Sequence, residues 1–330
     1  MVDDERLSEK VLEETALLYG LHGERQLSSG GFENIMYEYT APEANTMIRF
    51  TPYSQTSFDS IRAEVDFIRY LHMNGAPVPG IIPSVNGNLI EKLDSESMKY
   101  ALVAFEKAKG VPAVTIPVTQ WTPALLQAFG ALMGMLHRLT ISYTPPEGIR
   151  KPEWDQDEFY YPEKYMPDQS CIVEKSRDLL NRISSLPRNP SSYGLIHADM
   201  TLNNLYVDQE QITIFDFDDS RYGFFAQDIA VALFFWLMDL GIQERESSAE
   251  LFLDNFITGY EREYTIDTCW LRQIPLFLDL QVMLCYTVIV DDCELDNLNV
   301  WCQRFMKNRR YDIEHGIPFV SLESWLHKRI

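Results

Sequence analysis

Positive charge is scarce in this sequence: 28 lysines and arginines face 49 aspartates and glutamates among 330 residues, a formal net charge of -21. A chain so acidic repels a nucleic-acid backbone or an anionic membrane, which removes both as main partners. It is compatible with a cationic small ligand, and equally with solubility alone. Cysteine is sparse as well. Cys171, Cys269, Cys285, Cys293 and Cys302 make an odd count without C-x-x-C spacing, so neither a disulfide framework nor a zinc site is expected. The opening Met1-Val2-Asp3-Asp4-Glu5 is the opposite of the basic start of a secretory leader, and a reducing cytoplasm is the expected location. The longest tempting apolar run, Ile229 to Met238, is bracketed by Asp228 and Asp239. It falls far short of the ~20 residues of a membrane span and reads as a buried helix, with no membrane partner. Internal repeats and low-complexity tracts are missing too.

What is present is a globular composition. Hydrophobic residues make up 46% and aromatics 12%, enough for a large core and two lobes. The chemistry concentrates in one place. His197-Ala198-Asp199-Met200-Thr201-Leu202-Asn203-Asn204 has the form H-x-D-x-x-x-x-N, and Ile212-Thr213-Ile214-Phe215-Asp216-Phe217-Asp218-Asp219 follows as an alternating strand ending in carboxylates. Moving a phosphoryl group from ATP to a hydroxyl needs a carboxylate beside the attacking oxygen and hard oxygen ligands for magnesium. Asp199 can supply the first, and Asn204 and Asp216 the second. If the strand runs from Ile212 to Asp218, residues of one parity share a face, which puts Ile212, Ile214, Asp216 and Asp218 together. The alternative is a strand–loop–strand whose Asp and Asn residues serve turns and caps.

These motifs, with the downstream Gly223-Phe224-Phe225-Ala226-Gln227-Asp228-Ile229-Ala230, resemble the aminoglycoside phosphotransferase and choline kinase group of the protein-kinase-like fold. The resemblance implies Asp199 as catalytic base and Asn204 and Asp216 as magnesium ligands. His197 and Asp228 would shape the loop and anchor the following helix. It also implies a bilobal α+β fold, with an N-terminal antiparallel-sheet lobe (1–105) carrying one main helix and a mainly helical C-terminal lobe (106–330), joined by a hinge about 105–110.

Along the chain, Ser8 to Tyr19 reads as an amphipathic helix with Ser8 as N-cap and Gly20 as stop. Gly30-Gly31 sits where the family has its nucleotide-covering loop, although an ordinary hairpin turn fits the local sequence. Met47 to Phe50 reads as a third strand, and Arg49 stands where the family has a phosphate-binding Lys or Arg. Ser57 to Asn74 reads as a helix whose Glu64 is the family's partner for that cation; on the residues alone both charges could face solvent. Leu89–Leu93 and Tyr100–Phe105 read as two further strands. Phe105 to Pro112 resembles the hinge, with the Glu106 carbonyl and Ala108 amide as adenine contacts, or else is a strand running into a loop. Thr122-Pro123 starts a long helix in which His137 reads as a packing residue. The acidic, aromatic 154–165 segment lines a substrate cleft for an amine or is a solvated insertion. Helices are expected near 171–186, 229–240, 248–260, 271–290 and 297–307.

Departures narrow the reading. Ala198 precedes Asp199 where signalling kinases have Arg, and Asp216-Phe217-Asp218 replaces D-F-G. No room for a long activation loop lies between Asp219 and Asp228. The expectation is an ATP- and Mg2+-dependent phosphotransferase acting on a hydroxyl of a small molecule (an amino alcohol, sugar or aminoglycoside). The rival is a nucleotide-binding pseudoenzyme with a sensor or assembly role.

Overall fold

The computed structural model describes residues 7–28, 34–40, 45–94, 98–238, 240–292 and 298–329. Gly30 and Gly31 lie outside the described residues, as does Cys293. In chain order the first elements are α1 (Glu9–Tyr19), β1 (Glu24–Leu27), β2 (Ile35–Thr40), β3 (Thr46–Pro52), α2 (Gln55–Met73), β4 (Ile81–Ile82), β5 (Glu91–Asp94), β6 (Lys99–Glu106) and β7 (Val111–Pro112). There follow α3 (Pro123–Thr140), α4 (Ser170–Ser184), β8 (Tyr193–Ile196), β9 (Leu205–Asp208), β10 (Gln211–Ile214), β11 (Arg221–Phe224), α5 (Phe225–Met238) and α6 (Ile242–Tyr260). The chain ends through α7 (Thr268–Leu271), α8 (Ile274–Asp292), α9 (Val300–Met306), α10 (Arg309–His315) and α11 (Glu323–Arg329). The expected order, an antiparallel sheet first and helices later, is what the structure has.

Two compact units emerge. One holds residues 1–111 with 143–151 and 206–218; the other holds 112–142, 152–205 and 219–330. In the first unit the sheet runs β1-β2-β3-β6-β4, with β5 also on β6. Alternation along β3 sorts its side chains. Ile48 and Phe50 join Tyr37, Tyr39, Leu102 and the α1 residues Leu12 and Tyr19 in one apolar cluster. Arg49 points to the opposite face, where Ala101 and Val103 pack with Ile61 and Val65 of α2. The α1 ends are set as expected: Ser8 Oγ accepts from the Val11 amide, and Gly20 closes the helix in the left-handed conformation at φ 63°, which glycine adopts at no steric cost.

In the second unit α3 and α6 touch through glycine. A Cβ on Gly130 would sit 1.8 Å from the Phe256 carbonyl oxygen, and one on Gly259 equally close to that of Gln127. Only bare glycines let the two backbones approach so far. Helix α5 is apolar all round and buried along nearly its whole length, as a central core helix must be. The helix expected over 271–290, with Pro275 kinking or starting it, is α8, which begins at Ile274 with Pro275 as its second residue, a position where the missing N–H costs nothing; the short α7 before it ends at Leu271. Among the described residues, Thr268–Asp291, rather than 229–238, is the longest apolar helical stretch. By length and composition it passes as a membrane span, yet 61% of that window is buried inside the fold, as in a core helix. The 154–165 segment forms short 3-10 turns with Trp154 and Tyr160 turned inward.

Candidate active site

The H-x-D loop belongs to the second unit. It leaves β8, which pairs antiparallel with β11, and is hung from the start of α5. Asp228, 1% exposed, accepts the His197 amide on Oδ2 at 3.0 Å and the Ala198 amide on Oδ1 at 2.7 Å. Those bonds hold Ala198 at φ 67°, a left-handed conformation that costs a non-glycine residue roughly 1–2 kcal/mol. His137 Nε2 bonds the Asp228 carboxylate at 3.1 Å, and its Nδ1 meets the Tyr260 hydroxyl at 2.8 Å. The ring stacks on Phe225 with 4.3 Å between centroids. Burial works to raise the Asp228 pKa. The hydrogen bond from His137, the charges of His137 and His197 and the His197 amide outweigh it, and the group ends below the ordinary carboxylate value.

Beyond Ala198 the loop folds on itself. The Thr201 amide bonds the Asp199 carbonyl at 2.9 Å and the Asn204 amide bonds the Thr201 carbonyl at 3.1 Å. Asn204 Nδ2 donates to the Asp199 carbonyl at 2.9 Å and to Asp199 Oδ2 at 2.7 Å. The two residues that the motif sets five apart are thus joined, and the Asn204 amide oxygen is turned away from that bond.

The second group lies in the first unit. Arg49, 4% exposed, pairs with Glu64 through two hydrogen bonds of 2.7 Å. Arg49 and Glu64 both prove to be buried, so the solvent-facing alternative is set aside. Burial tends to lower the guanidinium pKa, but Glu64, with Asp216 and Asp218 behind it, raises it above its ordinary value. Asp216 Oδ1 is 4.0 Å from Arg49 Nη1, with its side chain one-third exposed.

Here one expectation fails. The strand does not run to Asp218; β10 ends at Ile214, and Asp216 takes φ 68°. A left-handed residue breaks the two-residue alternation, so Asp216 is not aimed by strand parity. It is aimed by the turn, while Phe217 is buried against Phe67 of α2 with ring centroids 5.9 Å apart. Asp218 Oδ2 accepts from Asn34 Nδ2 at 3.2 Å. Beside the Arg49–Glu64 pair opens a cavity of about 170 Å3 whose lining includes Asn34, Ser60, Lys151 and Asp218 together with the apolar Pro52 and Ile61.

The structure thus joins Asp199 with Asn204, and Arg49 with Glu64 and Asp216. The short hairpin of β9 and β10 links the two groups along the chain. Glu106 ends β6 and Ala108 follows it, in the first unit. The Glu106 amide bonds the Gly80 carbonyl at 2.9 Å, and among the described backbone hydrogen bonds none uses the Ala108 amide. Sequence reading takes His137 for a packing residue without its tie to Asp228, and it passes over Lys151. His137 lies 91 residues before Asp228, a separation that no local pattern reveals. Lys151 is a buried lysine in a loop, and its sequence carries no signal of that. Magnesium takes hard oxygen ligands and keeps waters and phosphate oxygens around it. A carboxylate on Asp216 and an amide oxygen on Asn204 fit that habit. No group of three or more His, Cys, Asp or Glu among the described residues makes a self-sufficient metal cage.

Known proteins give the arrangement a lineage. The phosphotransferase enzyme family matches residues 24–266. Amicoumacin kinase of Bacillus subtilis (strain 168) is 30% identical over 320 residues, 96% of this chain and 94% of that protein. The structure of amicoumacin kinase hAmiN in complex with AMP-PNP, Ca2+ and Ami superposes with a TM-score of 0.88 at 29% identity, covering 99% of this chain and 97% of that one. A microcompartment-associated aminopropanol kinase shares the fold, with a TM-score of 0.71 at 22% identity over 93% of this chain and 95% of its own. On the family match and the full-length relative, this chain belongs to the phosphotransferase enzyme family.

Proposed function

We propose that this protein transfers the terminal phosphoryl group of ATP to a hydroxyl of a small molecule, with magnesium. The observation that carries the reading is the Asn204–Asp199 hydrogen bond of 2.7 Å inside a loop suspended from Asp228. It fixes the Asp199 carboxylate and, by engaging the Asn204 NH2, sets the direction of the Asn204 amide oxygen on the same loop, the two kinds of group that phosphoryl transfer calls for.

Asp199 orients the acceptor hydroxyl and takes its proton late in the transfer. Asn204 and Asp216 hold magnesium, which neutralises charge on the phosphates when bound. Arg49, braced by Glu64, fixes the nucleotide's phosphates; Gly30 and Gly31 cover them; the Glu106 carbonyl and Ala108 amide meet the adenine edge. Residues 1–105 form the nucleotide lobe and 106–330 the catalytic and acceptor lobe, with the 206–218 hairpin delivering Asp216. Positioning and fixed charge supply most of the acceleration.

The acceptor is a small hydroxyl compound. Similarity to the amicoumacin kinases over nearly the whole chain makes amicoumacin the first candidate, ahead of amino alcohols, sugars and aminoglycosides. The net charge of -21 suits a cationic acceptor. Free thiols at Cys171, Cys269, Cys285 and Cys302 suit a reducing cytoplasm.

The test is ADP release from magnesium-ATP, followed by a coupled assay over amicoumacin, amino alcohols, sugars and aminoglycosides, with and without chelator. Acceptor-dependent, chelator-sensitive turnover supports the reading and names the acceptor class. Tight nucleotide binding without turnover on any acceptor favours the pseudoenzyme.

A further inference from the structure

We infer that Lys151 is a positioning residue for the metal-binding turn: its buried ammonium pins the Asp218 backbone to helix α2 and thereby sets the aim of the Asp216 carboxylate. The inference rests on the magnesium role proposed for Asp216.

A lysine is almost never fully buried unless its charge is engaged, yet Lys151 is 4% exposed. Its Nζ donates to the Asp218 carbonyl at 2.5 Å and to Ser60 Oγ on α2 at 3.4 Å. Ser60 lies one helical turn before Glu64, on the same face of α2. Two cations therefore grip the three-residue turn at its two ends, and both are anchored on that face. Arg49 bonds Glu64 and stands 4.0 Å from Asp216; Lys151 meets Ser60 and holds Asp218. The turn between them contains the left-handed Asp216 at φ 68°, a conformation that persists only where its surroundings over-determine it. Arg49, Glu64, Ser60, Lys151 and Asp218 line one cavity of about 170 Å3, so the two grips belong to one site rather than to scattered contacts. Lys151 itself touches neither nucleotide nor metal in this account. It acts through the carbonyl two residues after Asp216, as outer-shell partners orient metal ligands elsewhere.

The experiment compares wild type, Lys151→Met and Lys151→Arg. Calorimetry measures AMP-PNP binding with and without Mg2+, hydrogen exchange follows the amides of 215–219 and of α2, and thermal melts check the fold. Loss of an outer-shell partner typically weakens metal affinity by roughly 10–100-fold. Lys151→Met is expected to lower Mg2+-dependent affinity by that amount, leave metal-free nucleotide binding within about twofold, and speed exchange at 215–219. Lys151→Arg, which keeps the cation and its donors, is expected to recover most of the affinity. Wild-type metal affinity and unchanged exchange in Lys151→Met would overturn the inference. So would an equal loss of metal-free and metal-dependent binding, which would mark a general role in stability. If wild type itself shows no Mg2+-dependent nucleotide binding, the functional reading fails. The exchange comparison then still decides whether Lys151 holds the turn.

Discussion

Replacing Asp228 by asparagine removes one acceptor from a place where three donors converge. The His197 amide, the Ala198 amide and His137 Nε2 lie 3.0, 2.7 and 3.1 Å from the carboxylate. Asparagine keeps one oxygen and turns an NH2 towards a donor, leaving at least one buried donor unsatisfied. Hydrogen bonds to a charged group contribute about 1.5–3 kcal/mol each, and an orphaned buried donor costs about 1–3 kcal/mol. The expected loss is about 3 kcal/mol. The effect on rate is larger than stability alone suggests, because the same bonds hold Ala198 at φ 67° next to Asp199. A kcat at least about tenfold lower corresponds to only 1.4 kcal/mol in the transition state. The pH dependence has a definite sign. The folded pKa of Asp228 is lowered, so its contribution is fully present above the unfolded value near 3.9 and disappears as pH falls through the still lower folded value. Urea melts of wild type and Asp228→Asn should differ by a constant amount from neutrality down to about pH 4, with the gap closing below. An asparagine variant within about 0.5 kcal/mol of wild type, with unchanged kcat, would refute the idea that Asp228 suspends the loop.

Other perturbations separate the remaining parts. Glu64→Ala leaves the buried Arg49 charge without its two 2.7 Å bonds and should cost about 3–5 kcal/mol in denaturant melts. Arg49→Lys keeps the charge but loses the planar fork that Glu64 meets; it should raise the KM for ATP by roughly tenfold in initial-rate kinetics with little change in the acceptor KM. Gly130→Ala drives a Cβ to 1.8 Å from the Phe256 carbonyl, so α3 and α6 must part, costing about 2–3 kcal/mol. The same shift disturbs the His137–Tyr260 bond between those helices, and kcat should fall with Tm.

The sequence reading reached furthest where structure is local. Ser8 and Gly20 mark both ends of α1 because a cap and a left-handed stop are written in single residues. Thr122-Pro123 likewise starts α3 through the Thr122 hydroxyl. The Arg49–Glu64 pair was legible only through the family resemblance, since burial of a charge cannot be seen in a strand and a helix taken separately. Asp216 was misplaced because the apolar–polar alternation of 212–218 continues past the end of β10: Phe217 is buried by packing on Phe67, not by strand geometry. The fastening of the loop by His137 and of the turn by Lys151 depends on partners 91 and 67 residues away. Only the folded chain brings these together. The short β4, α10 and α11 offered too few residues for any periodicity to be read.

The most direct test of the account is the Asp199→Asn variant under single turnover, with radiolabelled ATP, magnesium and the acceptor identified in wild type. The account predicts that phosphorylated acceptor disappears, by roughly 100-fold or more for loss of a general base, while magnesium-nucleotide affinity by calorimetry stays near wild type. Phosphoryl transfer at the wild-type rate in Asp199→Asn would contradict it, and would place the chemistry elsewhere in the protein.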